Sequence, residues 1–195
     1  MKIVIATSNA HKVLEIADKL SSENRFTFIS MTEVCPPMEI IEDGDTFTDN
    51  AIIKARAVCA SSGLPSLADD SGLSVDALNG EPGIFSARYG NLPDDITRYE
   101  RVLSLMVRIP DDKRTARFVC AMALVFPDGK CFTAEGFCEG SIARSPRGDH
   151  GFGYDPIFVP QGGKCTMAEI PLSEKNRISH RAIALDKMRI ILASF

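Results

Sequence analysis

The sequence predicts an α/β fold, a mixed β-sheet flanked by helices, carried by a single domain over residues 1–195. Three observations point there. An apolar stretch at residues 2–6 runs straight into a helical pattern, a strand-to-helix unit. Residues 117–126 are almost wholly apolar, turn at Pro127-Asp128-Gly129 and return over residues 131–142 as an antiparallel partner. Between and after these, helical and extended patterns mix with no repeat, low-complexity tract or linker.

At 195 residues the chain holds one compact α/β domain, or a core with a smaller lobe. Hydrophobic residues at 45% and charged residues at 25% are ordinary globular values. A net charge of −4 argues against a surface for nucleic-acid polymers, which leave a basic footprint, while allowing a small anion held by a few lysines. Cysteines 35, 59, 120, 131, 138 and 165 form no CxxC and no zinc-ligand spacing. With no signal-peptide pattern and no membrane-spanning run, a reducing, cytoplasmic location without membrane contact is expected.

The elements follow in order. Residues 2–6 read as a buried strand. Residues 9–20 read as a helix with Val13, Ile16, Ala17 and Leu20 inward and Ser8 or Asn9 as N-cap. Residues 25–31 suggest a second strand, and Cys35-Pro-Pro a loop. Thr46 to Asp49 has capping-box spacing, and the next helix turns Phe47, Ala51, Ile52, Ala55, Val58 and Cys59 inward. On another face of it Asn50 and Lys54 stand one turn apart, before Gly63 and Pro65 close it. Residues 73–78 alternate apolar and polar up to the Asn79-Gly80 turn. Pro93-Asp94-Asp95 opens a helix with Ile96, Val102, Leu103, Met106 and Ile109 inward. A glycine-rich loop at 148–153 leads to a strand at 154–159, and Gln161-Gly-Gly163 turns. Residues 166–169 and 173–176 look like two helix starts. The last helix carries Ile178, Ala182, Leu185, Met188 and Leu192 on one face, with Arg181 off that stripe.

The chemistry gathers at Leu67-Ala-Asp-Asp-Ser-Gly72, read as the end of a buried strand opening into a site. Two adjacent carboxylates there cost folding energy unless a divalent metal, a basic residue or a hydrogen-bond network offsets them. The turn before residue 10 presents a helix N-terminus, a ready anion site. Lys12 in its first turn opposes the helix dipole, which a bound anion between the two would explain and a solvated lysine would tolerate.

Four motifs, Thr7-Ser-Asn-Ala-His-Lys12, Asp69-Asp70-Ser71-Gly72, Gly151-Phe-Gly-Tyr-Asp-Pro156 and Ser179-His-Arg181, closely resemble in order and spacing the inosine triphosphate pyrophosphatase family of Ham1-like enzymes. The resemblance runs from residue 2 to the last helix. It implies an elongated mixed sheet with helices, in two lobes around a nucleotide-binding cleft, and commonly a homodimer. It implies Mg2+-dependent hydrolysis of ITP, dITP and XTP to the monophosphate and pyrophosphate, which cleanses the nucleotide pool. Carried over residue by residue, Thr7, Ser8, Asn9 and Lys12 form the phosphate turn, and Lys54 reaches the triphosphate. Glu42 and Asp70 match the metal ligands, and Asp70 with Asp69 beside it matches the catalytic acids. Ser71 matches a substrate contact, while Phe152, Gly153, Tyr154, Asp155, Lys175, His180 and Arg181 match the base pocket. Ser8 departs from the family's glycine at that position, which bears on triphosphate affinity.

The chemistry agrees with the residues. A triphosphate brings about four negative charges, to be shared by Lys12, Lys54, a helix N-terminus and a hard cation that prefers oxygen ligands. Asp69 is expected to raise the pKa of Asp70 by like-charge proximity. Hypoxanthine offers a 6-carbonyl that accepts from Arg181 and an N1–H that donates to Asp155, a pattern adenine reverses and guanine shares. Two rivals remain at this point: a Maf-like nucleotide pyrophosphatase preferring pyrimidine or modified nucleotides, and a nucleotide sensor without turnover.

Overall fold

The computed structural model describes residues 1–20 and 25–195. Among them, six strands form one sheet in the order β2-β1-β3-β4-β5-β6. They are β1 Lys2–Ile5, β2 Thr27–Ser30, β3 Ser66–Val75, β4 Thr115–Val125, β5 Cys131–Ile142 and β6 Phe158–Pro160. The α-helices are α1 Ala10–Leu20, α2 Met31–Val34, α3 Phe47–Ser62, α4 Asp95–Leu105, α5 Leu172–Ile178 and α6 His180–Leu192. β1 is parallel to β2 and β3, and β5 is antiparallel to β6. β4 and β5 are neighbours joined by a tight turn in which Phe126 N–H donates to the Lys130 carbonyl at 2.9 Å. So short a connection permits only antiparallel pairing. The sheet is mixed, as expected from the sequence.

The chain divides into two compact units. One comprises Met1–Asp70, Cys120–Gly136 and Arg181–Phe195, the other Ser71–Val119 and Phe137–His180. In the first, alternate strand residues serve two cores. Ile3, Ile5, Leu67, Cys120, Met122 and Leu124 pack with Ile16 and Leu20 of α1 and Leu185 and Met188 of α6. Val4, Ala6, Ala68, Ala121 and Ala123 pack with Ala51, Ala55 and Val58 of α3. Both faces of these strands are covered, which is why the sequence shows continuous apolar runs there instead of alternation. In the second unit Leu73, Val75, Phe118 and Ile142 pack with Val102 and Met106 and with Ile157, Phe158 and Met167.

Helix ends follow side-chain chemistry. Asn9, not Ser8, caps α1: its Oδ1 accepts Lys12 N–H at 3.4 Å. Thr46 Oγ1 accepts Asp49 N–H at 3.1 Å, and the Asp49 carboxylate takes the Thr46 hydroxyl at 2.7 Å, the shorter acid serving the side chain where a glutamate would reach the amide. Gly63 ends α3 in the left-handed region at φ +68°.

Several elements differ from the sequence reading. The stretch 25–31 keeps only Thr27–Ser30 extended, because Ser30 and Glu33 form a full capping box that starts α2. Asp69 and Asp70 lie within β3, which continues to Val75, so they do not mark a strand end. The expected strand at 154–159 opens as a 3-10 turn, Asp155–Ile157, where Pro156 has no amide to give a ladder. Residues 166–169 close on themselves as one turn, Thr166 N–H donating to Glu169 Oε2 at 2.6 Å. Ile178 ends α5, and extended Ser179 separates it from α6. Ala17 and Ile96 are exposed, and Glu15 is buried in α1.

Candidate active site

β3 sets the first part of the site through its two-residue period. Leu67 belongs to the core with α1 and α6, Ala68 to the core with α3. The same parity sends Asp69 towards the first and Asp70 towards the second. The adjacent carboxylates therefore answer to different partners on opposite faces of the sheet.

Asp69, 1% exposed, is held by Lys12 Nζ at 3.0 Å and by Arg181, whose Nη2 donates at 3.1 Å and Nε at 3.3 Å. Arg181 Nη1 also bonds Glu15. Burial alone would raise the Asp69 pKa; Lys12, Arg181 and Lys54 outweigh it and hold the carboxyl well below its ordinary range. Burial likewise opposes the Arg181 charge, and Asp69 and Glu15 reverse that, raising its pKa. Neighbouring Cys120 is pushed up to about 12 by burial and by Asp69. Asp69 is thus an anchor for two cations. Arg181 corrects the reading from the sequence: it is off the apolar stripe yet 1% exposed, because Asp69 and Glu15 receive its charge.

Asp70 faces α3. Lys54 Nζ lies 2.9 Å from Asp70 Oδ1 and 2.8 Å from Glu42 Oε2. Asn50, one turn before Lys54 and fully buried, donates Nδ2 to Asp70 Oδ2 at 3.3 Å. Its Oδ1 accepts Gly44 N–H at 2.9 Å, which ties the loop carrying Glu42 to the same helix. Burial raises the Asp70 pKa, Lys54 opposes this, Glu42 adds to it, and the net shift is upward. The expected cause, like-charge proximity of Asp69, is replaced by burial and Glu42. Burial would lower the Lys54 pKa, but Asp70, Asp69 and Glu42 raise it overall. Lys54 is buried beside both carboxylates.

Among the described residues no group of three His, Cys, Asp or Glu side chains is set to hold a metal. Two carboxylate oxygens, from Glu42 and Asp70, do converge on one ammonium. One or two carboxylates completed by phosphate oxygens and water is what Mg2+ takes, so the donor set fits that ion. In the turn before α1, Thr7 Oγ1 accepts Asn9 N–H at 3.2 Å and Ser8 is exposed.

The second unit holds the other motif residues. Asp155 Oδ2 accepts Phe152 N–H at 2.9 Å and the Lys175 ammonium at 2.8 Å, both acid and lysine being 3% exposed. Lys175 Nζ lies 4.6 Å from the Phe152 ring centroid. Gly151 permits this arrangement: it stands at φ +78°, and a Cβ there would come within 2.1 Å of Asp155 Oδ2. Tyr154 donates its hydroxyl to the Ser86 carbonyl at 2.9 Å, and burial pushes its pKa up. His180 stacks on Phe118, centroids 4.8 Å apart. Ser71, half-buried, follows Asp70 on β3, and Gly72 admits the neighbouring turn, since a Cβ there would meet Ser86 Oγ at 2.3 Å.

A sequence model of the Ham1 family matches residues 3–191. The chain belongs to the Ham1 family. The dITP/XTP pyrophosphatase of Desulforamulus reducens is 48% identical over 193 residues, covering 98% of this chain and 96% of that protein. The dITP/XTP pyrophosphatase of Bacillus subtilis is 47% identical over 190 residues, covering 97% and 96%. The solved HAM1 protein from Coxiella burnetii superposes with a TM-score of 0.90 at 43% identity, covering 100% of both chains. This Ham1-family chain thus shares its fold with the Coxiella burnetii protein.

Two residues escaped the sequence reading of the site. Glu15 and Asn50 touch Arg181, Asp70 and the Gly44 amide. Asn50 had a signal, its i, i+4 spacing from Lys54. Glu15 had one only in hindsight of Arg181, which lies 166 residues away.

Proposed function

We propose that this Ham1-family protein hydrolyses ITP, dITP and XTP to the nucleoside monophosphate and pyrophosphate, cleansing the nucleotide pool. Support comes from the family and from two relatives called dITP/XTP pyrophosphatase at 48% and 47% identity. The observation that carries the mechanism is the convergence of Glu42 and Asp70 on Lys54.

Glu42 and Asp70 would hold a Mg2+ ion, which supplies charge neutralisation on the phosphate oxygens. Asp70, its pKa raised by burial, accepts a proton from the attacking water. The water oxygen bonds to the α-phosphorus while the bond from that phosphorus to the bridging oxygen breaks, and pyrophosphate leaves. Lys54, Lys12 and the Thr7-Ser8-Asn9 turn are assigned to the triphosphate, with Ser71 as a further contact. Asp69, held ionised, positions Lys12 for this work.

The purine end is assigned to the second motif group. Phe152 stacks on the ring, backed by Gly153 and Tyr154. Asp155 accepts from N1–H, Lys175 donates to the 6-carbonyl, and His180 completes the pocket. Adenine would leave these groups mismatched. The six free thiols fit a reducing cytoplasm. Among the described residues no helix is long and apolar enough to cross a membrane. A homodimer is the assembly that the family resemblance implies.

The test is a nucleotide panel with product identification. ITP, dITP and XTP should exceed ATP by about a hundredfold or more in kcat/KM, with monophosphate and pyrophosphate as products. Preference for pyrimidine nucleotides, orthophosphate release, or bound nucleotide that stays intact with Mg2+ would each refute the reading.

A further inference from the structure

The loop that carries Phe152 has glycines on both sides, Gly151 at φ +78° and Gly153 at φ +64°. Glycines leave a backbone free to choose among conformations, so the direction of the Phe152 ring must be set by other restraints. Two carboxylates supply them. The peptide before the Phe152 Cα is held by Asp155, whose Oδ2 accepts Phe152 N–H at 2.9 Å. The peptide after it is held from outside the loop, by Asp95 Oδ2, which accepts Gly153 N–H at 2.7 Å. The first plane fixes φ of Phe152 and the second fixes ψ.

Asp95 is itself held. Its Oδ1 takes Arg98 Nη2 at 2.6 Å, and Arg98 Nη1 donates to the carbonyls of Ala87 at 2.9 Å and Leu92 at 3.1 Å. Helix α4 does not need Asp95 for capping, because Asp94 accepts Thr97 N–H at 2.8 Å and the Thr97 hydroxyl at 2.9 Å. The Asp95 carboxylate, at the first helical position, spends its second oxygen on the glycine loop. A charge-assisted bond of this length is among the stronger kinds available to a backbone amide.

We infer that Asp95 is a positioning residue for purine recognition: by holding the Gly153 amide, it sets the angle at which Phe152 meets the base. This rests on the reading of Phe152 as the stacking residue. Asp95 acts on base binding through Phe152, and not on the phosphate chemistry.

The experiment is a double-mutant cycle in the full chain, read as kcat and KM for ITP in D95A, F152A and D95A/F152A, with D94A as control. D95A should raise KM about three- to tenfold with kcat within about twofold, the scale of one charge-assisted hydrogen bond partly open to solvent. D94A disturbs the same helix end without touching Gly153 and should leave KM near wild type. In the double variant D95A should add nothing to F152A. D95N, which keeps an acceptor and loses the charge, should shift KM less than D95A, and it serves as the second variant if D95A folds poorly. A normal KM in D95A beside a raised KM in F152A would overturn the role of Asp95 and leave the base pocket standing. Additive effects, or a fall in kcat at constant KM, would overturn it as well. A normal KM in F152A would remove the pocket reading itself, and this inference with it.

Discussion

Replacing Arg181 by alanine removes a deeply buried charge from the protein's first unit. The guanidinium is 1% exposed and bridges Asp69, also 1% exposed, and Glu15, 7% exposed. Truncation leaves Asp69 to Lys12 and strips the guanidinium from Glu15, with a cavity the size of the lost side chain. Breaking a buried pair by removing one partner costs about 3–5 kcal/mol. For a chain of this length about 1 kcal/mol moves Tm by roughly 2–4 °C, so R181A should melt about 6–20 °C lower. Calorimetric or urea unfolding of the purified variant measures this. R181K keeps a charge but loses the planar fork, and should fall between. Adding D69N to R181A should recover part of the loss, because the second change removes the stranded anion. A Tm within about 2 °C of wild type in R181A would refute the buried network, and restore the expectation, drawn from helical periodicity, that Arg181 is dispensable for folding.

Two other outcomes follow from the carboxylates of β3. Asp69 has its folded pKa below the ordinary carboxylate value of 3.8, so its contribution to stability is fully present above the unfolded value and fades as pH falls through the lowered one. The stability gap between wild type and D69N should therefore be constant above about pH 5 and shrink below about pH 4 in urea titrations, and a gap that grows on acidification would contradict the sign. D70N should lose about a hundredfold or more in kcat while still binding nucleotide, as measured by steady-state kinetics and equilibrium dialysis, and near-normal turnover in the folded variant would dismiss Asp70 as the base.

How far the sequence carried the fold is visible in β1, β3 and β4. Their apolar runs announced buried strands, and the alternating membership of Ile3 and Val4, or Met122 and Ala123, in two cores shows that both faces are covered. What the runs did not announce was that Asp69 and Asp70 part company, since parity matters only once both faces have partners. The family resemblance brought Lys12, Glu42, Lys54, Asp69, Asp155 and Lys175 forward as site residues, and each is bonded to another of the set. The burial of Arg181 was misjudged and Glu15 was missed for one physical reason. A helix wheel reports only local periodicity, and a buried ion pair joining residues 166 apart leaves no periodic trace. Tyr154 and Pro156 misled for another, because an apolar run before a strand does not distinguish extended chain from a 3-10 turn.

In the proposed mechanism, water activated at Asp70 attacks the α-phosphorus. Hydrolysis of ITP in 18O-labelled water, with both products analysed by mass spectrometry, tests it most directly. One labelled oxygen is expected in inosine monophosphate and none in pyrophosphate at single turnover. Label in pyrophosphate, or orthophosphate appearing with a diphosphate intermediate, would contradict it and displace Asp70 from the attacking water.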